Sequence, residues 1–150
     1  MAEHIGGALD RELMGFFRTM QSMDTLYEEY ARKNGLTYMS LYILETLYEY
    51  RRCTQKDISQ TTLYPKQTVN MVIRGFQQKG WVTLEPEETD RRSKCICLTA
   101  AGYAFAEGVV EPYWEAGLRA FGTLEEGRRK AVLQGLRAYA GAFEQEIRKL

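Results

Sequence analysis

The segment Pro65–Gly80 constrains the fold of this chain more than any other stretch. Four of its apolar residues fall at i, i+3, i+4 and i+7, the spacing of one stripe along a helix; they are Val69, Val72, Ile73 and Phe76. The opposite side carries amide, ammonium and guanidinium groups and no carboxylate, from Lys66, Gln67, Asn70, Arg74 and Gln78. Such side chains contact base edges and phosphates in DNA, and a solvated helix face is the alternative interpretation.

A shorter helical segment precedes this one. Thr54 stands three residues before Asp57, which is the spacing of a capping box at a helix start. Residues 61–64 then turn the chain into Pro65. Two short helices joined by a tight turn, the second with a polar outer face, form a helix-turn-helix. The segment before Thr54, residues 51–53, is predicted to be a short link.

After Gly80 the hydrophobic period changes from that of a helix to the alternation of strands. Trp81–Glu85 and Lys94–Leu98 are strand-like, and the charged sequence PEETDRRS between them favours a turn. We therefore expect a β-hairpin with a projecting loop directly after the helix-turn-helix.

Long amphipathic helices are predicted at both ends of the chain. From Ala8 to about Arg32 apolar residues recur every 3.5 residues, at Leu9, Leu13, Phe16, Met20, Met23, Tyr27 and Tyr30. A similar seam follows a Thr123-x-x-Glu126 capping box, at Leu133, Leu136, Ala140, Phe143, Ile147 and Leu150. Such seams pack along another helix. Burial against a second copy is favoured here over a bundle within one subunit.

Two further helices complete the expected architecture. Thr37 can cap a helix that extends to about Tyr50 and is apolar almost all round, so it should be buried. Thr99 begins another helix toward Phe121. Because Pro112 lies inside its pattern, we expect a kink or break near Glu111.

The charges are distributed unevenly although the formal net charge is zero. Residues 1–50 carry four Lys and Arg against eight Asp and Glu, whereas residues 51–98 carry nine against five. The positive excess therefore lies on the helix-turn-helix and hairpin, where a nucleic-acid footprint would be needed.

Several classes of protein are disfavoured by the sequence. The chain has no apolar run long enough to span a membrane and no apolar N-terminal signal, so a cytoplasmic protein without membrane contact is expected. His4 is the only histidine, and no metal-spaced cluster or phosphate-binding glycine loop occurs. We therefore expect no enzyme activity, no metal and no cofactor.

One motif carries a family resemblance. Asp90-x-Arg92 is followed by Leu98-Thr99 in the pattern D-x-R-x5-L-T, with Gly102 after it; Thr68-Val69 and Lys79-Gly80-Trp81-Val82 add to the match. With the order of elements, the chain resembles the MarR family of winged helix-turn-helix transcription regulators.

The resemblance implies a mainly α fold with a small β-hairpin wing (α+β) and long terminal dimerisation helices. Residues 1–36 and 101–150 would form the dimerisation region and residues 37–100 the DNA-binding lobe. In a homodimer, two recognition helices would enter the major groove of a pseudo-palindromic, double-stranded DNA operator. Each wing arginine would enter the neighbouring minor groove, whose negative potential suits a guanidinium group.

The predicted DNA contacts lie on the second short helix and the wing. They are Lys66, Gln67, Thr68, Asn70, Arg74, Arg91, Arg92 and Lys94. Asn70 and Arg74 can read adenine and guanine, although an ion pair between Arg74 and Asp90 competes with a base contact. Arg92 is the main wing contact, and Asp90 is expected to orient basic groups.

Regulation is expected through a small aromatic or phenolic ligand that releases a repressor from DNA. The candidate pocket residues are Tyr27, Tyr30, Tyr38, Tyr42 and Tyr103, although tyrosine also fills helical cores. One alternative is a redox sensor, since the helix after Cys53 could lower its thiol pKa; ordinary packing of the cysteines is favoured. Another alternative is a winged-helix interaction module that does not bind DNA.

Overall fold

The computed structural model describes residues 7–86 and 94–150. His4, Asp90, Arg91 and Arg92 lie outside these residues. The described elements are α1 (Ala8–Lys33), α2 (Tyr38–Tyr50), β1 (Arg52–Thr54), α3 (Gln55–Thr62), α4 (Lys66–Gln78), β2 (Val82–Pro86), β3 (Lys94–Leu98), α5 (Ala100–Gly122) and α6 (Glu126–Ile147). The mainly helical fold with a small β wing confirms the predicted class.

The chain divides into two compact units, Met1–Val110 and Glu111–Leu150. The core of the first unit is built around α2. Thr37 begins this helix, and its side chain accepts a hydrogen bond from the Ser40 N–H at 3.1 Å. The buried residues of α2 are Leu41, Ile43, Leu44, Thr46, Leu47 and Tyr48. A helix that is apolar almost all round is stable only when other elements surround it, as the sequence predicted.

The helix-turn-helix forms as expected from its caps and apolar stripe. The Thr54 N–H donates to the Asp57 carboxylate at 2.8 Å, and the Asp57 N–H donates back to the Thr54 hydroxyl at 3.2 Å. The Thr54 N–H and the Thr54 hydroxyl, which also donates to the Asp57 carboxylate at 2.8 Å, lower the pKa of Asp57. In α4 the four stripe residues Val69, Val72, Ile73 and Phe76 are all buried.

The strands form an antiparallel sheet in the order β1-β3-β2. Val82 pairs with Leu98 and Pro86 with Lys94, which confirms the hairpin. The prediction of a link at residues 51–53 was wrong, because Arg52–Thr54 is a strand that pairs with β3. A three-residue strand has no detectable period of its own, so only its tertiary partner reveals it.

The Leu98-Thr99-x-x-Gly102 motif has a packing explanation. The Thr99 hydroxyl donates to the Gly80 carbonyl at 2.7 Å and accepts from the Gly102 N–H at 3.0 Å, which caps α5. The Trp81 ring stacks on Phe105 with centroids 3.9 Å apart. A Cβ atom at Gly102 would lie 1.9 Å from the Trp81 carbonyl oxygen. The glycine is therefore required for α5 to approach the start of β2.

In the second unit, α6 has no buried residue in the isolated chain. Its exposed apolar side chains are Val132, Leu133, Leu136, Phe143 and Ile147. The predicted capping box is wrong, because α6 follows Glu125 without a side-chain cap. The Thr123 hydroxyl instead donates to the Ala120 carbonyl at 2.7 Å. It thereby closes the end of the preceding helix.

Helix α5 continues through Pro112, so the chain does not break near Glu111. Proline removes one backbone hydrogen bond but does not by itself end a helix whose other turns are intact.

Candidate nucleic-acid interface

The outer face of α4 is the centre of the candidate site. While the apolar stripe faces the core, Lys66, Gln67 and Arg74 are exposed and Thr68 and Asn70 are half-buried. A shallow depression follows this face and is lined by Gln67, Asn70, Met71, Arg74, Gly75 and Gln78. Three of the predicted recognition residues, Gln67, Asn70 and Arg74, therefore line one solvent-facing depression together with one large apolar side chain, Met71.

Hydroxyl groups fix the turn between α3 and α4. Ser59 donates to the Tyr64 carbonyl at 2.6 Å, and Thr62 donates to the Ile58 carbonyl at 2.7 Å. Leu63, between Thr62 and Tyr64 in the sequence, adopts a left-handed conformation with φ 60° and is 86% exposed. An exposed leucine in this conformation is unusual, and no periodic signal predicts it. The turn sets the direction in which α4 leaves the core.

A second cleft lies beside the start of α4. It is lined by Thr54, Gln55, Lys56, Lys66, Leu84, Lys94 and Ile96. Its three ammonium groups come from α3, from the first turn of α4 and from β3, and its lining includes no carboxylate. Three positive charges around one cleft favour an anion such as a phosphate group.

Of these lysines, Lys66 and Lys94 were predicted from the sequence as DNA contacts, whereas Lys56 was not. Lys56 stands in a short helix next to the acidic residue Asp57, so its local sequence does not indicate a basic surface. Its place in the cleft depends on the packing of α3 against the sheet.

An ion pair holds the outer end of the wing strands. Arg52 on β1 contacts the Glu85 carboxylate of β2 at 2.8 Å and donates to the Pro86 carbonyl at 3.1 Å. Lys94 begins β3 opposite Pro86 and is exposed. The predicted wing contacts Arg91 and Arg92, with Asp90, fall in the loop outside the described residues.

Three of the five candidate pocket tyrosines lie together. The Tyr27 and Tyr38 rings stack with centroids 5.4 Å apart, and Tyr42 contacts Tyr64 edge-on at 6.2 Å. Burial raises the pKa of Tyr38 to about 12, with smaller contributions from Tyr27, Tyr64, Asp24 and Tyr42. The cluster thus joins α1, α2 and the turn before α4. Tyr64 was not selected from the sequence because it lies in that turn.

The other two candidate tyrosines are placed elsewhere. Tyr30 donates its hydroxyl to the Val109 carbonyl at 2.7 Å. Tyr103 packs on Tyr48 at 5.2 Å, and its hydroxyl accepts a hydrogen bond from Arg51 at 2.9 Å. The guanidinium of Arg51 also lies 4.6 Å from the centre of the Tyr103 ring. These contacts give both tyrosines a structural role.

The cysteines are free thiols; Cys53 and Cys95 are buried and Cys97 is half-buried. Burial raises the pKa of the Cys53 thiol to about 12. This direction contradicts the alternative in which the start of α3 lowers the thiol pKa, because loss of solvent outweighs any effect of the helix. At neutral pH, Cys53 is protonated, which is the less reactive form.

Within residues 7–86 and 94–150, no three metal-ligating side chains come together. The helices found in the same part of the chain are too short or too polar to cross a bilayer.

The chain is similar to known regulators. A family model described as MarR family matches residues 34–93, which include α2 to β2. The chain is 22% identical over 120 residues to the HTH-type transcriptional repressor NicR of Pseudomonas putida, covering 80% of this chain and 76% of that repressor.

Solved structures extend the similarity to nearly the whole chain. NMB1585, a MarR family regulator from Neisseria meningitidis, is 26% identical with a TM-score of 0.77, over 92% of this chain and 97% of that one. BpsR of Bordetella bronchiseptica, whose DNA binding is regulated by 6-hydroxynicotinic acid, is 21% identical with a TM-score of 0.70. The latter match covers 93% of this chain and 97% of BpsR.

Proposed function

We propose that this chain is a homodimeric repressor of the MarR family of winged-helix transcription regulators and that its recognition helix is α4; the matched family model and the similar MarR regulators support this assignment. One observation carries the proposal: the apolar stripe of α4 is buried while its donor-bearing face is exposed beside the three-lysine cleft. That arrangement leaves the polar face available to the major groove and the lysines available to the DNA backbone.

The proposed DNA contacts divide by role. Asn70 and Arg74 read bases, because amide and guanidinium groups form paired hydrogen bonds to adenine and guanine. Lys66 and Lys94, together with Lys56, hold a phosphate in the cleft. Gln67 and Thr68 lie near the start of α4, where backbone N–H groups also favour phosphate. Arg91 and Arg92 contact DNA from the wing, with Asp90 orienting them.

Selection of bound sequences from random duplex DNA tests this function. We expect an inverted repeat whose half-sites are separated by about 34–36 Å, one turn of the duplex. Arg92→Ala should weaken binding to the selected operator and reduce the slope of log affinity against log salt by about one. Wild-type protein that fails to bind any duplex at low salt would support an interaction module instead.

The proposed dimer rests on apolar surface that the single chain leaves uncovered. In α1 the exposed side chains include Leu9, Met14, Phe17, Met23 and Leu26, and α6 carries five more. Monomeric proteins rarely expose apolar residues at helical spacing along such long elements. We propose that a second copy covers both helices, with residues 1–36 and 101–150 as the dimerisation region.

Sedimentation measurements test the dimer. The double variant Leu136→Glu with Phe143→Glu should dissociate and lose most operator affinity, because a monomer contacts one half-site only. Gln134→Glu is the matched control, since it adds a charge to the same helix at a polar position. A double variant that sediments like wild type would contradict the assignment.

We further propose that the cluster of Tyr27, Tyr38, Tyr42 and Tyr64 binds a small hydroxylated aromatic acid. The stacked rings of Tyr27 and Tyr38 offer flat apolar surface, and their hydroxyls can donate to a carboxylate. BpsR responds to a ligand of this chemical type. Because Tyr64 precedes α4, a ligand at the cluster could shift the recognition helix and release DNA.

A competition experiment tests the effector site. Hydroxylated aromatic acids should release wild-type protein from its operator, and Tyr38→Leu should weaken this response while retaining DNA binding. Tyr50→Leu serves as the control, because Tyr50 is also in α2 but is 53% exposed. Equal responses of the two variants would remove the cluster as the effector site.

A further inference from the structure

Met71 is the one large apolar side chain in the depression that follows the outer face of α4. It is 61% exposed, whereas the apolar stripe residues of the same helix are buried. Helix packing therefore gives no reason for an apolar side chain at this position. Contact of this side chain with another apolar group would remove apolar surface from water and is therefore favourable.

The neighbouring glycine explains why Met71 is uncovered. Gly75 is one turn further along α4, and a Cβ atom built there meets no other atom within 4 Å. Helical side chains lean toward the N-terminus, so a side chain at position 75 would cover the residue four positions earlier. Its absence leaves open space beside Met71.

Polar donors border this space. Gln67 lies one turn before Met71, Asn70 lies beside it, and Arg74 follows one turn later. An A·T pair presents in the major groove the adenine N6 and N7 atoms, which an amide can bind, and the thymine methyl group, which needs an apolar contact. The lining of the depression offers both partners within one helical turn.

We infer that Met71 determines specificity by contacting the 5-methyl group of a thymine in each operator half-site. The inference rests on the proposed docking of α4 in the major groove. The Met71 side chain would cover the methyl group in the space above Gly75, and Asn70 would bind the adenine of the same or the adjacent pair. The contact replaces water on two apolar surfaces, so it favours thymine over cytosine and over uracil.

Replacement of thymine by deoxyuridine provides the test, because it removes only the methyl group and keeps the base pair. After selection of the operator, each half-site thymine is replaced in turn, and affinity is measured by fluorescence anisotropy at constant salt. One replacement should weaken wild-type binding about fourfold per half-site, as expected for one buried methyl group. Met71→Gln should bind thymine and uracil operators equally, whereas Met71→Leu should retain the preference.

Two results would overturn the inference. In one, no deoxyuridine replacement weakens wild-type binding; in the other, the same replacement weakens wild type and Met71→Gln equally. Both leave operator binding itself intact, whereas loss of all duplex binding by the wild type would refute the proposed function. Because Met71 is exposed, neither variant should alter folding, and thermal unfolding of each checks this.

Discussion

Helix α2 is apolar almost all round and helix α6 is amphipathic, and the two helices differ in how much of their apolar surface is buried. Six of the 13 residues in α2 are buried, whereas none of the 22 residues in α6 is buried. The stability of α2 therefore comes from contacts within its own unit. The apolar side chains of α6 have no equivalent cover in the isolated chain, which is the physical basis for proposing a second copy.

The difference shows that apolar spacing indicates a face to be covered but does not identify the cover. Surface ion pairs along α6, such as Glu144 with Arg148, support the helix locally but contribute only about 0.3–0.5 kcal/mol each. Substitutions at positions buried within the chain, and at positions that a second copy would bury, therefore test the difference between α2 and α6.

The largest effect is expected at the closest contact of the first unit. Gly102→Ala places a Cβ atom 1.9 Å from the Trp81 carbonyl oxygen, so the free energy of unfolding should fall by about 3 kcal/mol or more. Gly108→Ala in the same helix is the control, because a Cβ there meets nothing within 4 Å. It should be neutral or stabilising by up to about 1 kcal/mol in urea unfolding.

The next test replaces one leucine in each of the two compared helices. Leu44 is fully buried, and Leu44→Ala should cost about 3 kcal/mol at every protein concentration. Leu136 is 41% exposed, so Leu136→Ala should cost no more than about 1 kcal/mol in dilute solution. If a second copy covers α6, this loss increases with protein concentration. A loss independent of concentration would contradict the proposed cover.

Burial also predicts a dependence of stability on alkaline pH. Cys53 titrates at about 12 in the folded state against a reference pKa of 9.0, so only the unfolded chain loses this proton between those values. Stability is fully retained below pH 9 and should fall by on the order of 2 kcal/mol by pH 11. Cys53→Ala should have a shallower pH slope in urea unfolding. An unchanged slope would exclude Cys53 as the cause.

The smallest effect concerns the starts of α3 and α6. Thr54 caps α3 through reciprocal bonds with Asp57, so Thr54→Ala should cost about 1 kcal/mol. Thr123 has the same sequence spacing to Glu126 but makes no cap on α6. Thr123→Ala should therefore cost less than about 0.5 kcal/mol. Equal losses in thermal unfolding would contradict the difference between the two helix starts.

Much of the fold was predictable because local patterns and tertiary packing agree. The caps of α2 and α3, the buried stripe of α4 and the two hairpin strands all follow from periodicity and turn chemistry. The strand at Arg52–Thr54 and the loss of the Thr123 cap were not predictable, since both depend on which partner a backbone or hydroxyl group finds.

The candidate site was predictable in part for the same reason. The outer face of α4 follows from its period, but the convergence of Lys56 with Lys66 and Lys94 involves three elements that are distant in sequence. Likewise, five tyrosines were equivalent candidates by sequence. Packing brought three of them together with Tyr64, namely Tyr27, Tyr38 and Tyr42, whereas Tyr103 accepts a hydrogen bond from Arg51.

The sequence by itself determined the helices, the wing strands and the division of α4 into a core face and a donor face, because these depend on spacing along one segment. Tertiary structure alone decided which cationic and aromatic side chains meet, and it raised the pKa of Cys53 by burying a thiol that its own helix start would have favoured as an anion. Such properties depend on solvent exclusion and on distances between separate elements, which no local pattern contains.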